Sequence, residues 1–128
     1  MLKQNAYETY KQQSVMTMTQ TEMLTMLYDG ILKEIYAVSR EFDREPLDLA
    51  EINRRLQKTQ KIMNYLASSL EKENDIAKNL HSLYDYCNWI LTQANIKKEP
   101  HQLNEVVDII AGLRESYIQA DRNARMHA

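Results

Sequence analysis

The run TQTEMLTMLYDGILKEIYAVSREF, Thr19 to Phe42, decides the fold. Leu24, Leu27, Tyr28, Ile31, Ile35, Val38 and Phe42 recur at the spacing of one helix face. Thr19 and Glu22 have the capping-box spacing that opens a helix, and Pro46 closes it, because the residue before a proline avoids the helical region. Inside this helical signal stands Gly30, one of only two glycines in the chain. A glycine there costs about 1 kcal/mol relative to alanine, so its place on the helix needs a reason.

Working outward, Asp48 and Glu51 repeat the capping pattern and open a second helix with Leu49, Ile52, Leu56, Met63, Leu66 and Leu70 inward. The polar cluster EKEND, Glu71 to Asp75, makes the next connection. A third helix turns Ile76, Leu80, Leu83, Tyr84, Cys87, Ile90, Leu91 and Ala94 inward and stops before Pro100. A fourth starts near Gln102, with Leu103, Val106, Val107, Ile110, Leu113 and Tyr117 on its apolar face. Residues 1–18 read as an N-terminal arm and ADRNARMHA as loose, so the bundle spans residues 19–123 and 124–128 form a flexible tail. Four amphipathic helices with short connections predict an all-α, antiparallel up-down-up-down four-helix bundle.

Composition narrows the function. At 128 residues, with 44% hydrophobic and 27% charged side chains, the chain can bury a core. A net charge of −2 gives no reason to expect nucleic acid as a partner. The lone Cys87 excludes an internal disulfide framework and fits a reducing compartment. No apolar run reaches the roughly 18 residues of a membrane span, and the N-terminus lacks a signal-peptide core. A cytoplasmic helical protein without membrane insertion is the expectation.

Catalytic constellations are missing from the sequence. His81, His101 and His127 pair with no Cys or carboxylate at metal-ligand spacing, and no Gly-rich phosphate loop occurs. Cys87 falls on the core face and reads as a buried hydrophobe. No enzyme activity and no cofactor are expected. An alternative function is a regulatory or phosphotransfer bundle using His81, although NLHSLYDY lacks the lysine and glycine that would hold and admit a phosphoryl group.

A surplus of apolar surface points elsewhere. At about 100° per residue, Gly30 falls about 115° from the centre of the first helix's core sector. Met23, Met26 and Ala37 share that flank, which makes a second stripe beside the core. On this reading Leu27 and Tyr28 pack inward while Asp29 and Gly30 face outward. Tyr86, Trp89 and Ile96 lie off the third helix's core stripe, whereas Arg54, Arg55, Lys58 and Lys61 give the second helix an ordinary solvated face. Large apolar patches mark partner sites, methionine suits surfaces that adapt, and a glycine lets another backbone lie close.

Several stretches resemble the flagellar secretion chaperone family, FliS. They are NAY at Asn5 to Tyr7 with Tyr10 following, LYDGIL at Leu27 to Leu32, LYDYCNWILTQAN at Leu83 to Asn95, and EVVDIIAGLRESY at Glu105 to Tyr117. The resemblance runs along nearly the whole chain. It implies a cytoplasmic helical bundle that binds the disordered C-terminal segment of flagellin. Such a chaperone prevents premature polymerisation and helps present the subunit to the flagellar export gate. The family's N-terminal segment occupies part of the same groove and is displaced. The family's tyrosines fall on Tyr7 and Tyr10, its LYDG motif on Leu27, Tyr28, Asp29 and Gly30, and its later LY and AN elements on Leu83, Tyr84, Ala94 and Asn95. Tyr117 stands where the family often carries Trp, and Trp89 has no family counterpart. Together with the exposed stripe, this marks Tyr7, Tyr10, Met16, Met23, Met26, Tyr28, Asp29, Gly30, Tyr84, Trp89 and Asn95 as candidate partner-binding residues.

Overall fold

The computed structural model describes residues 18–70, 74–100 and 102–127. They form four helices: α1 (Gln20–Phe42), α2 (Leu49–Ser68), α3 (Asp75–Lys97) and α4 (Leu103–Met126). Side-chain caps open three of them. Thr19 accepts a hydrogen bond from the Glu22 amide at 3.1 Å, Asp48 from the Glu51 amide at 3.0 Å, and Asn74 from the Ala77 amide at 2.8 Å. Each satisfies an amide that the helix leaves without an intrahelical partner.

The helices close a ring in which α1 packs on α2, α2 on α3, α3 on α4, and α4 on α1. Numbers rise along one helix as they fall on its neighbour. Gly30 meets Ile62 and Glu34 meets Arg55, Asn53 meets Asn95 and Asn64 meets Asn88, and Tyr28 meets Tyr117. The arrangement is therefore antiparallel and up-down-up-down.

Leu24, Ile31, Ile35 and Val38 of α1 meet Ile52, Leu56, Met63 and Leu66 of α2 in the core, with Cys87, Ile90, Leu91 and Ala94 of α3 and Val106 and Ile110 of α4. Across its middle, the buried Tyr28 and Tyr84 hydroxyls share a hydrogen bond of 2.7 Å. Burial raises both phenols, Tyr28 far above the usual tyrosine range, so both remain neutral donor-acceptors.

Expectations at two helix starts and at the C-terminus need correction. Leu49 and Ile76 were placed in the core but are 52% and 71% exposed; each lies in the first turn of its helix, at an end of the bundle. Thr59 fills a core position of α2 between Leu56 and Met63, and its hydroxyl is satisfied by the Arg55 carbonyl at 2.8 Å. The expected flexible tail at 124–128 is instead helical as far as Met126. Its last turns lack an apolar face and are carried by pairs one turn apart, Asp121 with Arg125 and Gln119 with Asn123, both at 3.1 Å.

Candidate partner-binding surface

The flank of α1 that carries Met23, Gly30 and Ala37 is turned toward α2. Ala37 and Glu34 are buried there. A Cβ on Gly30 would lie 3.4 Å from Ile62 Cδ1. Gly30 therefore does not face open solvent, as the wheel alone suggested; it lets Ile62 lie against the α1 backbone. The wheel gives an angle on one helix, and the neighbour that occupies that angle decides exposure.

Along this α1–α2 seam the chemistry changes at Gly30. Toward the start of α1, Met23, Met26 and Leu27 face Ile62 and Tyr65, with Lys61 at the rim, around a cleft of ≈ 360 Å³. Met26 is 40% and Tyr65 52% exposed, so the cleft is open and apolar. Toward the end of α1 the seam is ionic. Glu34 accepts from Arg55 Nη1 at 3.1 Å and lies 3.0 Å from Lys58 Nζ. Burial alone would raise its carboxyl, but Lys58 and Arg55 outweigh that and hold it below the usual carboxylate value. Arg55 and Lys58 are thus not an ordinary solvated face: a buried carboxylate on the neighbouring helix takes them up.

The opposite flank of α1 meets α4. Asp29 is exposed, as expected, but it accepts a hydrogen bond from Arg114 Nε at 2.6 Å. Met26 stands on the ridge between the two flanks and lines a cleft on each side.

The remaining expected residues scatter. Tyr28 and Tyr84 are fully buried, so they hold the core and offer a partner no surface. Asn95 donates to Asn53 across the α2–α3 seam at 2.8 Å and is itself bonded by Lys98. Trp89 is 52% exposed on α3, where it stacks on Tyr86 with centroids 6.3 Å apart. Tyr7, Tyr10 and Met16 lie outside the described residues. Tyr65 was not singled out from the sequence. Its signal is the step of three from Ile62, which puts it on the α1 side of α2 rather than on the core seam.

Among the described residues no cluster of three His, Cys, Asp or Glu could hold a metal. Burial, with the Glu105 carboxylate, pushes the Cys87 thiol up to about 11, which removes its reactivity. His81 Nδ1 lies 3.1 Å from the Asp85 carboxylate, a negative charge where a phosphoryl group would need a positive one. No helix among the described residues is long and apolar enough to cross a membrane.

Comparison with known proteins matches this geometry. The profile of the family described as flagellar protein FliS matches residues 3–124. The flagellar secretion chaperone FliS of Bacillus subtilis is 34% identical over 122 residues, covering 95% of this chain and 90% of that protein. The flagellar secretion chaperone FliS of Salmonella typhimurium is 29% identical over 114 residues, 87% of this chain and 83% of that one. A solved structure, a bacterial flagellar chaperone, superposes with a TM-score of 0.77 at 20% identity, over 94% of this chain and 98% of that one. The four antiparallel helices, the LYDG and LY elements meeting through their tyrosines, and the match along nearly the full length agree: the chain belongs to the FliS family of flagellar secretion chaperones.

Proposed function

We propose that this chaperone binds the disordered C-terminal segment of flagellin in the cytoplasm, with one piece of the segment seated in the α1–α2 cleft. It keeps flagellin from polymerising before export and helps present it to the export gate. The observation that carries this reading is an open apolar cleft, lined by Met23, Met26, Leu27, Ile62 and Tyr65, on the surface of the motif-bearing helix. Neither catalysis nor a cofactor is needed for such work.

Magnitudes shape the mechanism. A cleft of this size takes about two large aliphatic side chains, worth roughly 3–6 kcal/mol when fully buried. Ordering a disordered segment costs on the order of 2–5 kcal/mol. One cleft therefore leaves little net affinity, and the client must lie along further surface to be held.

Calorimetric titration with a flagellin C-terminal peptide tests the reading. The wild-type chain is expected to bind at micromolar affinity or tighter, and Met26→Glu to weaken binding more than about tenfold by placing a charge in the cleft. Absence of binding, or equal binding by Met26→Glu, would overturn it.

A further inference from the structure

The Tyr86–Trp89 pair is not used by the α1–α2 cleft. It lies on α3, across the ring from that cleft, toward the seam with α4. Tyr86 is pinned: its hydroxyl donates to Glu105 Oε1 of α4 at 2.7 Å. Trp89 stacks on it at an interplanar angle of 15° with half its surface exposed. An exposed ring beside a pinned neighbour can take up a partner's side chain at little further entropic cost.

The charges around the pair have one sign. Asp85 precedes Trp89 by one helical turn, so the two are neighbours on one ridge. Glu105 accepts from Tyr86 on the α4 side, and Asp108 lies one turn further along α4, away from Trp89. Between Lys78 and Lys97 α3 carries no Lys or Arg, and neither does α4 before Arg114, which is turned to Asp29 on α1. His81, bonded to Asp85, is the one nearby titratable base among the described residues. On α2 the cations Arg54, Arg55 and Lys58 are paired with Glu51 and Glu34.

We propose that the Tyr86–Trp89 pair, with Asp85 and Glu105 beside it, is a second docking surface that takes an arginine side chain from a basic segment of a partner protein. A guanidinium lies flat on an indole face, where the ring quadrupole attracts it, while its edge donors reach carboxylates. Arginine fits this surface better than lysine because it stacks and donates at once. The surface is separate from the α1–α2 cleft, so client and basic partner can be held together.

Trp89 is the chain's single tryptophan, so its fluorescence reports this face alone. The probe is a capped peptide with two arginines, titrated against the full chain at low salt, beside the same peptide with citrulline, which is neutral and nearly the same shape. The arginine peptide is expected to change Trp89 emission saturably, with millimolar affinity that weakens as salt rises. Citrulline should leave it unchanged. Asp85→Asn with Glu105→Gln, which keeps an acceptor for Tyr86, should weaken binding about fivefold while the melting temperature holds. No saturable change, an equal change with citrulline, or unchanged affinity in the double variant would overturn the proposal. A Trp89 signal that depends on chaperone concentration without peptide would also overturn it, by assigning the face to a second copy.

Discussion

Helix α2 has two flanks, and they meet their neighbours in opposite ways. On the side of α3 it is laced by polar side chains: Asn53 with Asn95 at 2.8 Å, Gln60 with Thr92 at 2.7 Å, and Asn64 with Asn88 at 2.8 Å. On the side of α1 the corresponding stretch holds Ile62 and Tyr65 against Met23, Met26 and Leu27, with no such bonds. Amide pairs are directional and fix one register, whereas methionine and aromatic contacts are adaptable and can be exchanged for similar ones. One flank thus presents a polar groove whose bonds hold its register, the other an apolar cleft suited to a foreign apolar side chain. Stability and binding can be separated on this one helix because different residues carry them.

The largest expected effect breaks the comparison at its apolar side. Ile62→Glu places a carboxylate in the cleft and should cost about a hundredfold or more in affinity for the flagellin peptide. Asn64→Ala with Asn88→Ala, on the other flank, should leave that affinity within about twofold. Calorimetry on both variants reads the difference.

Next comes the core that both flanks share. Tyr28→Phe leaves the Tyr84 hydroxyl buried without its partner and should cost about 1–3 kcal/mol, a fall of roughly 4 °C in melting temperature per kcal/mol. Adding Tyr84→Phe removes the stranded group, so the double variant should be less destabilised than the sum of the two single changes. Thermal melts of the three variants check it.

The ionic half of the α1–α2 seam makes the third prediction. Glu34→Gln should cost about 1–3 kcal/mol near neutral pH, less than a fully buried pair because Lys58 and Arg55 are partly solvated. The carboxyl of Glu34 is lowered in the folded chain. Its contribution is therefore present above the ordinary carboxylate value of 4.5 and is lost as the pH falls below that toward the folded value. The stability gap between wild type and Glu34→Gln should shrink on acidification through that range, as denaturant melts at several pH values would record.

Smallest are the two glycines, and they sharpen the role of Gly30. A Cβ at Gly112 would meet nothing within 4 Å, whereas one at Gly30 would touch Ile62. Both lie in helices without positive φ, so alanine at either recovers up to about 1 kcal/mol of helix propensity. Gly112→Ala should realise that gain and leave binding alone. Gly30→Ala should realise a similar gain and alter peptide affinity, because its methyl meets Ile62 in ordinary contact at the edge of the cleft.

Much of this architecture was legible in the sequence. The caps at Thr19 and Asp48, the apolar steps of the four helices apart from Leu49 and Ile76, and the stop before Pro100 follow from local rules that tertiary contacts did not override. The Met stripe beside the core was legible too. What lay beyond reach was which neighbour faces that stripe. A periodicity gives each residue an angle on its own helix, but the burial of Glu34, the approach of Ile62 to Gly30 and the exposure of Tyr65 depend on how α2 is set against α1. Tyr28 and Tyr84 illustrate the same limit: their motif marks them, but only packing shows that they meet each other in the core.

Neighbouring positions on α2 offer the most direct test of the central claim, that the client occupies the α1–α2 cleft. Tyr65 faces that cleft and Asn64, one residue earlier, faces the α3 flank. With Cys87 buried, a cysteine at either position can carry a benzophenone cross-linker as the one accessible label. Photolysis with the flagellin C-terminal peptide should give a cross-linked product from position 65 and little from position 64. Equal yields, or a product from position 64 alone, would contradict the assignment.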